Sequence, residues 1–263
     1  MKIPIYQVDA FAEGLFKGNP AAVCPLESWL EEDLMQQIAA ENNLAETAFI
    51  VKENDQYHIR WFTPEVEVAL CGHATLATAQ VLFTEFARDS DSIQFYSHRS
   101  GPLEVRRRSD GLLELDFPSD PPAKIAENRA INEALGKSPI RTLKGKTDYL
   151  LIFESQKDIE RLAPNFYVLG KVPARGIIVS APGEAVDFVS RFFAPGSGIA
   201  EDPVTGSAHT TLIPYWAGEL GKNQLSARQL SSRGGALVCE YLGERVKIAG
   251  KAVPYMVGEI HLP

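Results

Sequence analysis

The chain has 263 residues, of which 45% are hydrophobic and 23% are charged, an ordinary composition for a folded globular protein. Its net charge of −8 would repel phosphate backbones, so nucleic acid is a poor candidate partner. No run of the sequence approaches the about 18 apolar residues that a membrane helix needs, and we therefore expect no membrane partner.

Two features of the sequence bear on the cellular compartment. Residues 1–9 lack the apolar centre of a signal peptide and are typical of a strand. The three cysteines, Cys24, Cys71 and Cys239, are far apart and odd in number, which is unlike a disulfide framework and typical of a reducing compartment. We expect the protein to be cytoplasmic.

Hydrophobic patterning predicts the elements in chain order. The first half contains an amphipathic helix over residues 30–43, strands over 48–51 and 57–62, a helix over 74–83, and strands over 103–105 and 112–115. The second half contains a helix over 208–216, strands over 236–239 and 245–248, and a last strand-like segment over 255–260. The helices at 74–83 and 208–216 are apolar around most of their circumference, which predicts burial on all sides.

The sequence repeats itself once. Residues 60–64 (RWFTP) resemble residues 191–195 (RFFAP), and the pattern SxRxGxL occurs at 97–103 and again at 231–237. The spacing between copies changes from 131 to 134 residues, which indicates a three-residue insertion within 196–203. Such self-similarity is typical of a duplicated unit of structure.

These patterns predict an α+β fold of two pseudo-symmetric half-domains, each a curved sheet or barrel around a central helix. The proline-rich segment 117–122 cannot be regular structure and marks the boundary. We assign residues 1–117 to the N-terminal half-domain and residues 118–254 to the C-terminal one. The last segment, residues 255–263, is expected to cross back to the first half-domain.

Gly72 and Gly206 open the two buried helices at equivalent positions. The free backbone N–H groups and dipole of a helix start favour an anion, so residues 72–74 and 206–208 are candidates to hold a small carboxylate in one cleft. His73, Ser207 and Asp202 lie beside them in sequence. The alternative is that each glycine only relieves crowding at a tight turn.

Glu46 is the candidate acid/base. It stands among small and apolar residues at the start of a predicted strand, where burial would raise its pKa toward the range useful for proton transfer. The alternative is a Glu at a helix end or sheet edge, paired with Lys or Arg. Its counterpart in the second half is Ile177, so the two halves differ in chemistry.

Cys71 precedes Gly72 at a helix start, which would lower the pKa of its thiol. Its counterpart, however, is Thr205, which cannot act as a base. A racemase with two bases needs one on each face of a carbon, so packing or lining of the site remains open for Cys71. Cys71, His73 and His209 lack the spacing of a metal-ligand set, and we expect neither a metal nor another cofactor.

Four stretches together resemble the PhzF-like family of phenazine biosynthesis in order and spacing, over essentially the whole chain. They are QVDAF at 7–11 with GNPAAV at 18–23, AETAF at 45–49, LCGHAT at 70–75 and EDPVTGSAH at 201–209. The resemblance implies the two-domain fold of diaminopimelate epimerase, with a central helix in each half. It also suggests a homodimer.

In the best understood activity of that family, a glutamate moves a proton on a dihydro-hydroxyanthranilate without a cofactor. Carried over by motif, this glutamate is Glu46, the substrate-facing histidine is His73 and the aspartate is Asp202. The resemblance also implies anion-binding turns at Gly72 and at Gly206 with Ser207. Relatives that are epimerases use two cysteines, and here Cys71 matches the first while Thr205 stands at the second.

The sequence therefore predicts a cofactor-independent isomerase that acts on a small carboxylate substrate by glutamate acid/base catalysis. Two alternatives stay open: an amino-acid epimerase or racemase that uses Cys71, and a binding protein that kept the site and lost the chemistry.

Overall fold

The structure is a computed structural model that describes residues 1–262. Its backbone divides into two compact units of nearly equal size. Unit 1 comprises Met1–Asp116 together with the residues from Ala249 on, and unit 2 comprises Phe117–Ile248. The C-terminal strand therefore belongs to the same unit as the N-terminus. None of the helices within residues 1–262 is long and apolar enough to cross a membrane.

The first unit begins with strands β1 (Lys2–Ala10) and β2 (Asn19–Leu26), helix α1 (Glu32–Asn42), and strands β3 (Glu46–Glu53), β4 (Gln56–Phe62) and β5 (Glu67–Val68). Helix α2 (Gly72–Val81) follows, ends in a π-helical turn (Leu82–Phe86), and leads to β6 (Ser92–Ser97), β7 (Gly101–Arg107) and β8 (Leu113–Pro118). The predicted helices over 30–43 and 74–83 correspond to α1 and α2 within a few residues.

The second unit contains β9 (Ala123–Lys124), α3 (Arg129–Leu135), β10 (Arg141–Lys144), β11 (Tyr149–Ile152), α4 (Gln156–Arg161), α5 (Phe166–Leu169), β12 (Ile177–Pro182) and β13 (Phe188–Ala194). A 3-10 turn (Pro195–Ser197), β14 (Ile199–Asp202), α6 (Gly206–Leu220), β15 (Gln224–Gln229), β16 (Gly235–Tyr241) and β17 (Arg245–Gly250) complete it. The last strand, β18 (Ala252–His261), pairs antiparallel with β1.

Strand pairing repeats between the units. In unit 1, β2 runs parallel to β3, β3 is antiparallel to β4, β4 is parallel to β6, and β6 is antiparallel to β7. In unit 2, β11, β12, β13, β15 and β16 pair in the same order and with the same directions. The duplication that the sequence predicts is therefore present in the fold.

Helix α2 is the centre of unit 1. Eight of its ten residues are buried, and it packs against β1, β2, β3, β7 and β18. The small side chains of Ala74, Ala77 and Ala79 let the strands approach the helix closely. Because the helix is buried on all sides, it carries no polar face. On the opposite side of the sheet, α1 covers Phe49 and Phe62 with Met35 and Ile38.

Helix α6 takes the corresponding place in unit 2 and packs against β15 and β16. It is longer than the predicted helix over 208–216, because it continues through Pro214 to Leu220. Proline has no N–H to donate to the carbonyl of Thr210, one turn earlier. The backbone N–H of Asp120 donates to that carbonyl instead, at 3.0 Å, so the helix continues without an unpaired group there.

An ion pair also repeats. Arg60 on β4 donates two hydrogen bonds to Glu67 on β5, at 2.7 and 2.9 Å. Arg191 on β13 does the same to Glu201 on β14, at the same two distances. The second pair is three residues further apart in sequence, and the 3-10 turn Pro195–Ser197 lies between its members. The predicted insertion is therefore accommodated before β14 begins.

Candidate active site

Three side chains that the sequence singled out meet in unit 1. Glu46 is the first residue of β3, Cys71 precedes α2, and His73 is in the first turn of that helix. His73 Nε2 lies 3.0 Å from Glu46 Oε2, and Cys71 Sγ lies 3.5 Å from His73 Nδ1. The start of a strand and the start of the central helix thus bring a carboxylate, an imidazole and a thiol together.

Asn19 holds the imidazole from its other side. This residue begins β2, which pairs with β3 so that Ala21 faces Glu46, and it is fully buried. Its side-chain amide lies 3.2 Å from His73 Nδ1. With Nδ1 in contact with Asn19 and Cys71, the ring turns its Nε2 toward Glu46.

The atoms that face each other in this pair have capacity left for a ligand. The side chains of Glu46 and His73 are only 12% and 6% exposed. Glu46 Oε2 and His73 Nε2 are both buried, and neither has a hydrogen-bond partner among residues 1–262. Their 3.0 Å separation is that of an ion pair. Buried polar atoms without hydrogen-bond partners are uncommon in folded proteins.

Charge explains the titration of His73. Burial disfavours its imidazolium, but the interactions with Cys71 and Glu46 outweigh burial and raise the pKa of His73 well above its ordinary value. The shift favours the protonated ring, which lies beside Glu46 at the distance of a buried ion pair.

The expectation that the helix start lowers the pKa of Cys71 is wrong. Burial raises the pKa of this thiol, and the neighbouring Glu46 charge raises it further, against a smaller opposing effect of His73. The dipole of a helix start favours a thiolate, but here the thiol is 6% exposed and close to a carboxylate. Cys71 is a neutral thiol at neutral pH.

A second group of predicted residues meets at the start of α6 in unit 2. Asp202 is the last residue of β14, and its carboxylate accepts a hydrogen bond from the Thr205 hydroxyl. The buried side chain of Gln229 locks this turn. Its Oε1 accepts from the Thr205 N–H at 2.9 Å, and its Nε2 donates to the Asp202 carbonyl at 2.8 Å and to Thr205 Oγ1 at 3.0 Å.

Sequence reasoning missed Arg175 and Asp148. The guanidinium of Arg175 donates to Ser207 Oγ from both terminal nitrogens, at 3.2 Å, and donates from Nε to Asp148 Oδ1 at 3.0 Å. Asp148 is 2% exposed, so it anchors the guanidinium at the helix start. The repeat could have drawn attention to Arg175. This residue lies two positions before Ile177, the counterpart of Glu46, and so precedes the strand equivalent to β3.

Neither helix start has a side-chain cap. The side chains of the N-cap residues, Cys71 and Thr205, make no cap hydrogen bond. The first N–H groups of α2 and α6 belong to residues 72–74 and 206–208, which include the predicted turns at Gly72 and Gly206. The structure thus brings Glu46, Cys71 and His73 together in unit 1, and Asp202 and Ser207 near the start of α6 in unit 2.

This architecture is that of the epimerases and racemases built from two related halves. A crystal structure of a hydroxyproline epimerase from Agrobacterium vitis superposes with a TM-score of 0.64, covering 98% of this chain and 92% of the other. Identity is only 10%, so this likeness concerns the fold alone. The predicted fold class, including its epimerase-like character, is confirmed.

Within that class, the chain belongs to the phenazine biosynthesis-like family, PhzC-PhzF, whose sequence model matches residues 8–258. A protein of Pseudomonas aeruginosa named as an uncharacterized isomerase is 52% identical over 262 residues, with all of both chains covered. A crystal structure of a PhzF-family protein from Enterococcus faecalis has a TM-score of 0.96 at 48% identity, again with both chains fully covered. The predicted family is confirmed.

Proposed function

We propose that this protein is an isomerase that moves a proton on a small carboxylate substrate without a cofactor, with Glu46 as the acid/base. The observation that carries the proposal is the buried Glu46–His73 pair, whose facing atoms lie 3.0 Å apart and lack hydrogen-bond partners. The isomerase names of the relatives support the reaction class.

The chemistry follows from the charges. Glu46 takes a proton from a substrate carbon as a carboxylate and becomes a neutral acid, which then returns the proton to another carbon. The imidazolium of His73 stays beside it and stabilises the negative charge that develops on the substrate. One group that both removes and returns the proton needs no second base, which agrees with Ile177 at the position equivalent to Glu46.

A carboxylate substrate is supported by the charges beside the reacting group. The N–H groups at the start of α2 and the raised pKa of His73 both favour an anion. Within unit 2, the guanidinium of Arg175 lies next to Ser207 at the start of α6. The expectation that both helix starts, together with Asp202, serve one substrate remains a prediction, and so does the homodimer.

The epimerase alternative is less well supported. It needs a thiolate at Cys71 and a second base, but burial raises the pKa of Cys71. At the second position, Thr205 already donates its hydroxyl hydrogen to Asp202. The binding-protein alternative predicts the same site with no turnover.

The test is deuterium incorporation. The protein is incubated in D₂O with a panel of small unsaturated and α-amino carboxylates, and products and exchanged positions are read by NMR. We expect the wild-type chain to isomerise at least one compound and the Glu46→Gln variant to fail on it. Isomerisation that persists in Glu46→Gln would overturn the proposal. Binding of a carboxylate without any turnover would favour the binding-protein alternative.

A further inference from the structure

The cluster of Glu46, Cys71 and His73 offers three kinds of donor atom. One carboxylate oxygen, one thiol sulfur and one ring nitrogen from these residues all lie within 4.8 Å of one another, and all three side chains are mostly buried. We propose that these residues form a binding site for a single zinc-type divalent cation. Where Glu46 is the acid/base of the proposed function, the bound ion inhibits the reaction.

The donor set fits zinc better than magnesium or calcium. Zinc takes sulfur, imidazole nitrogen and carboxylate oxygen in tetrahedral sites, whereas magnesium and calcium prefer oxygen donors alone. Donors at zinc bond lengths are separated by about 3.3–3.6 Å. The contacts of His73 with Glu46 and Cys71, at 3.0 and 3.5 Å, are already close to that range. They involve different ring nitrogens, so a side-chain rotation of Glu46 or Cys71 completes the set.

Two buried atoms point to a ligand at this place. Glu46 Oε2 and His73 Nε2 face each other at 3.0 Å and make no hydrogen bond among residues 1–262. Buried polar atoms without a hydrogen-bond partner are uncommon, so a ligand that takes up both atoms would satisfy them.

Binding of the ion displaces any proton that the ligand atoms carry. The Cys71 thiol loses its proton to the buffer as the sulfur–metal bond forms, because a thiolate is the ligand. The negative charges of one carboxylate and one thiolate balance the divalent cation, so the loaded site has no net charge.

Inhibition follows because the ion occupies the Glu46 oxygen that would receive the substrate proton. The fourth position of a tetrahedral site stays open to water or to the substrate carboxylate. Inhibition therefore depends on the proposed function, whereas binding of the ion does not.

The test uses Co²⁺ as a coloured substitute for Zn²⁺ on the full-length protein freed of metal by chelation. A thiolate–cobalt charge-transfer band should appear at one ion per chain and disappear when Zn²⁺ is added. Calorimetry in buffers of different ionisation enthalpy should show proton release on binding, because the coordinating thiol gives up its proton. Absence of the band in the wild-type chain would overturn the proposal.

Three variants locate the site. Cys71→Ala and His73→Gln should lose the band, while Cys239→Ala, which removes a buried cysteine of unit 2, should keep it. Thermal unfolding of each variant shows whether it is folded, and two independent ligand variants keep the test valid if one is not. A band that persists in folded Cys71→Ala would place the thiolate elsewhere and refute this site.

The two proposals fail separately. Metal binding with full turnover in Glu46→Gln would remove the proposed function and leave the site. Loss of turnover in Glu46→Gln without metal binding to the wild-type chain would remove the site alone.

Discussion

The starts of helices α2 and α6 have the same backbone arrangement and different chemistry. In unit 1, the helix begins after Cys71 and its second residue is His73, beside Glu46. In unit 2, Thr205 and Ser207 occupy the equivalent positions, and the counterpart of Glu46 is Ile177 in the hydrophobic core. The start of α2 therefore combines a carboxylate, an imidazole and a thiol, whereas the start of α6 combines hydroxyls with the Asp202 carboxylate and the Arg175 guanidinium.

The two units share the contacts that support their central helices. Besides the Arg60–Glu67 and Arg191–Glu201 ion pairs, each helix carries a residue four positions after the cap that bonds back to the cap carbonyl. In unit 1 this is the hydroxyl of Thr75, at 2.6 Å, and in unit 2 it is Nδ1 of His209, at 2.8 Å. The comparison indicates that the duplicated scaffold holds both helix starts rigid, while the side chains that titrate differ between the units.

The largest expected effect tests where the chemistry is located. Glu46→Gln keeps the shape of the side chain and removes its basicity, so turnover should fall by roughly 10²–10⁴-fold, the usual contribution of a general acid/base. Steady-state kinetics on the compound found in the D₂O screen measures this loss. The matched control is Gln37→Glu, an exposed position on α1, which should change turnover little. Equal losses in both variants would show that the effect is not specific to the site.

The next prediction concerns His209 in unit 2. Burial lowers the pKa of His209 to about 4. The unfolded chain then binds this proton at higher pH than the folded chain, so stability is lost as pH falls below about 6.5, by up to about 3 kcal/mol near pH 4. Urea unfolding of the wild-type chain and of His209→Gln, at pH 7 and pH 4, measures it. Between pH 7 and pH 4, the free energy of unfolding should fall less in His209→Gln than in the wild-type chain. Equal falls in the two chains would refute the prediction.

His73 in unit 1 should act in the opposite direction. Its pKa is raised, so its contribution to stability is fully present below about pH 6.5 and is lost as pH rises through the folded-state pKa. His73→Gln should therefore remove a stabilisation at low pH and flatten the decline at high pH, in the same unfolding experiment. If His73→Gln and His209→Gln changed the pH dependence of the free energy of unfolding in the same direction, the contrast between the two helix starts would be contradicted.

Smaller effects are expected from the two repeated ion pairs. Glu67 is 4% exposed and faces both Arg60 and Arg99, whereas Glu201 is 20% exposed and faces Arg191. Because removing one charge from a buried pair costs more than from an exposed pair, Glu67→Gln should destabilise the chain by about 3 kcal/mol and Glu201→Gln by about 1 kcal/mol. Urea unfolding at pH 7 measures both, and equal values would show that burial does not set the cost.

Local patterns were sufficient to predict much of this molecule. The repeat and both central helices follow from periodicity and offsets within short stretches. Glu46 and Cys71 follow from their local sequence, and the role expected of His73 comes from the family resemblance. The errors concern contacts between distant parts of the sequence. The raised pKa of Cys71 depends on burial and on Glu46, 25 positions earlier. The continuation of α6 through Pro214 depends on a hydrogen bond from Asp120, which no local pattern reveals.

The same reason explains the missed residues. Asn19 reaches His73 across 54 positions, and Arg175 reaches Asp148 and Ser207 across 27 and 32 positions. Each lies at or just before the start of a strand and contacts another element, so its role follows only from the way the strands pair. Comparing equivalent strands of the two units, instead of matching residue types, would have pointed to Arg175.

The smallest expected effect on turnover decides between the two enzyme hypotheses. Cys71 is a neutral thiol whose counterpart, Thr205, is engaged with Asp202, so no pair of opposed bases exists at these positions. Cys71→Ala should therefore lower turnover less than about tenfold, because it removes a packing and hydrogen-bonding contact with His73 but no base. Its kinetics are compared with those of Glu46→Gln on the same compound. If Cys71→Ala abolishes turnover while Glu46→Gln retains it, the proton is carried by sulfur and the epimerase hypothesis replaces the glutamate mechanism. A larger loss in Glu46→Gln than in Cys71→Ala instead means that the thiol supports His73 without transferring a proton.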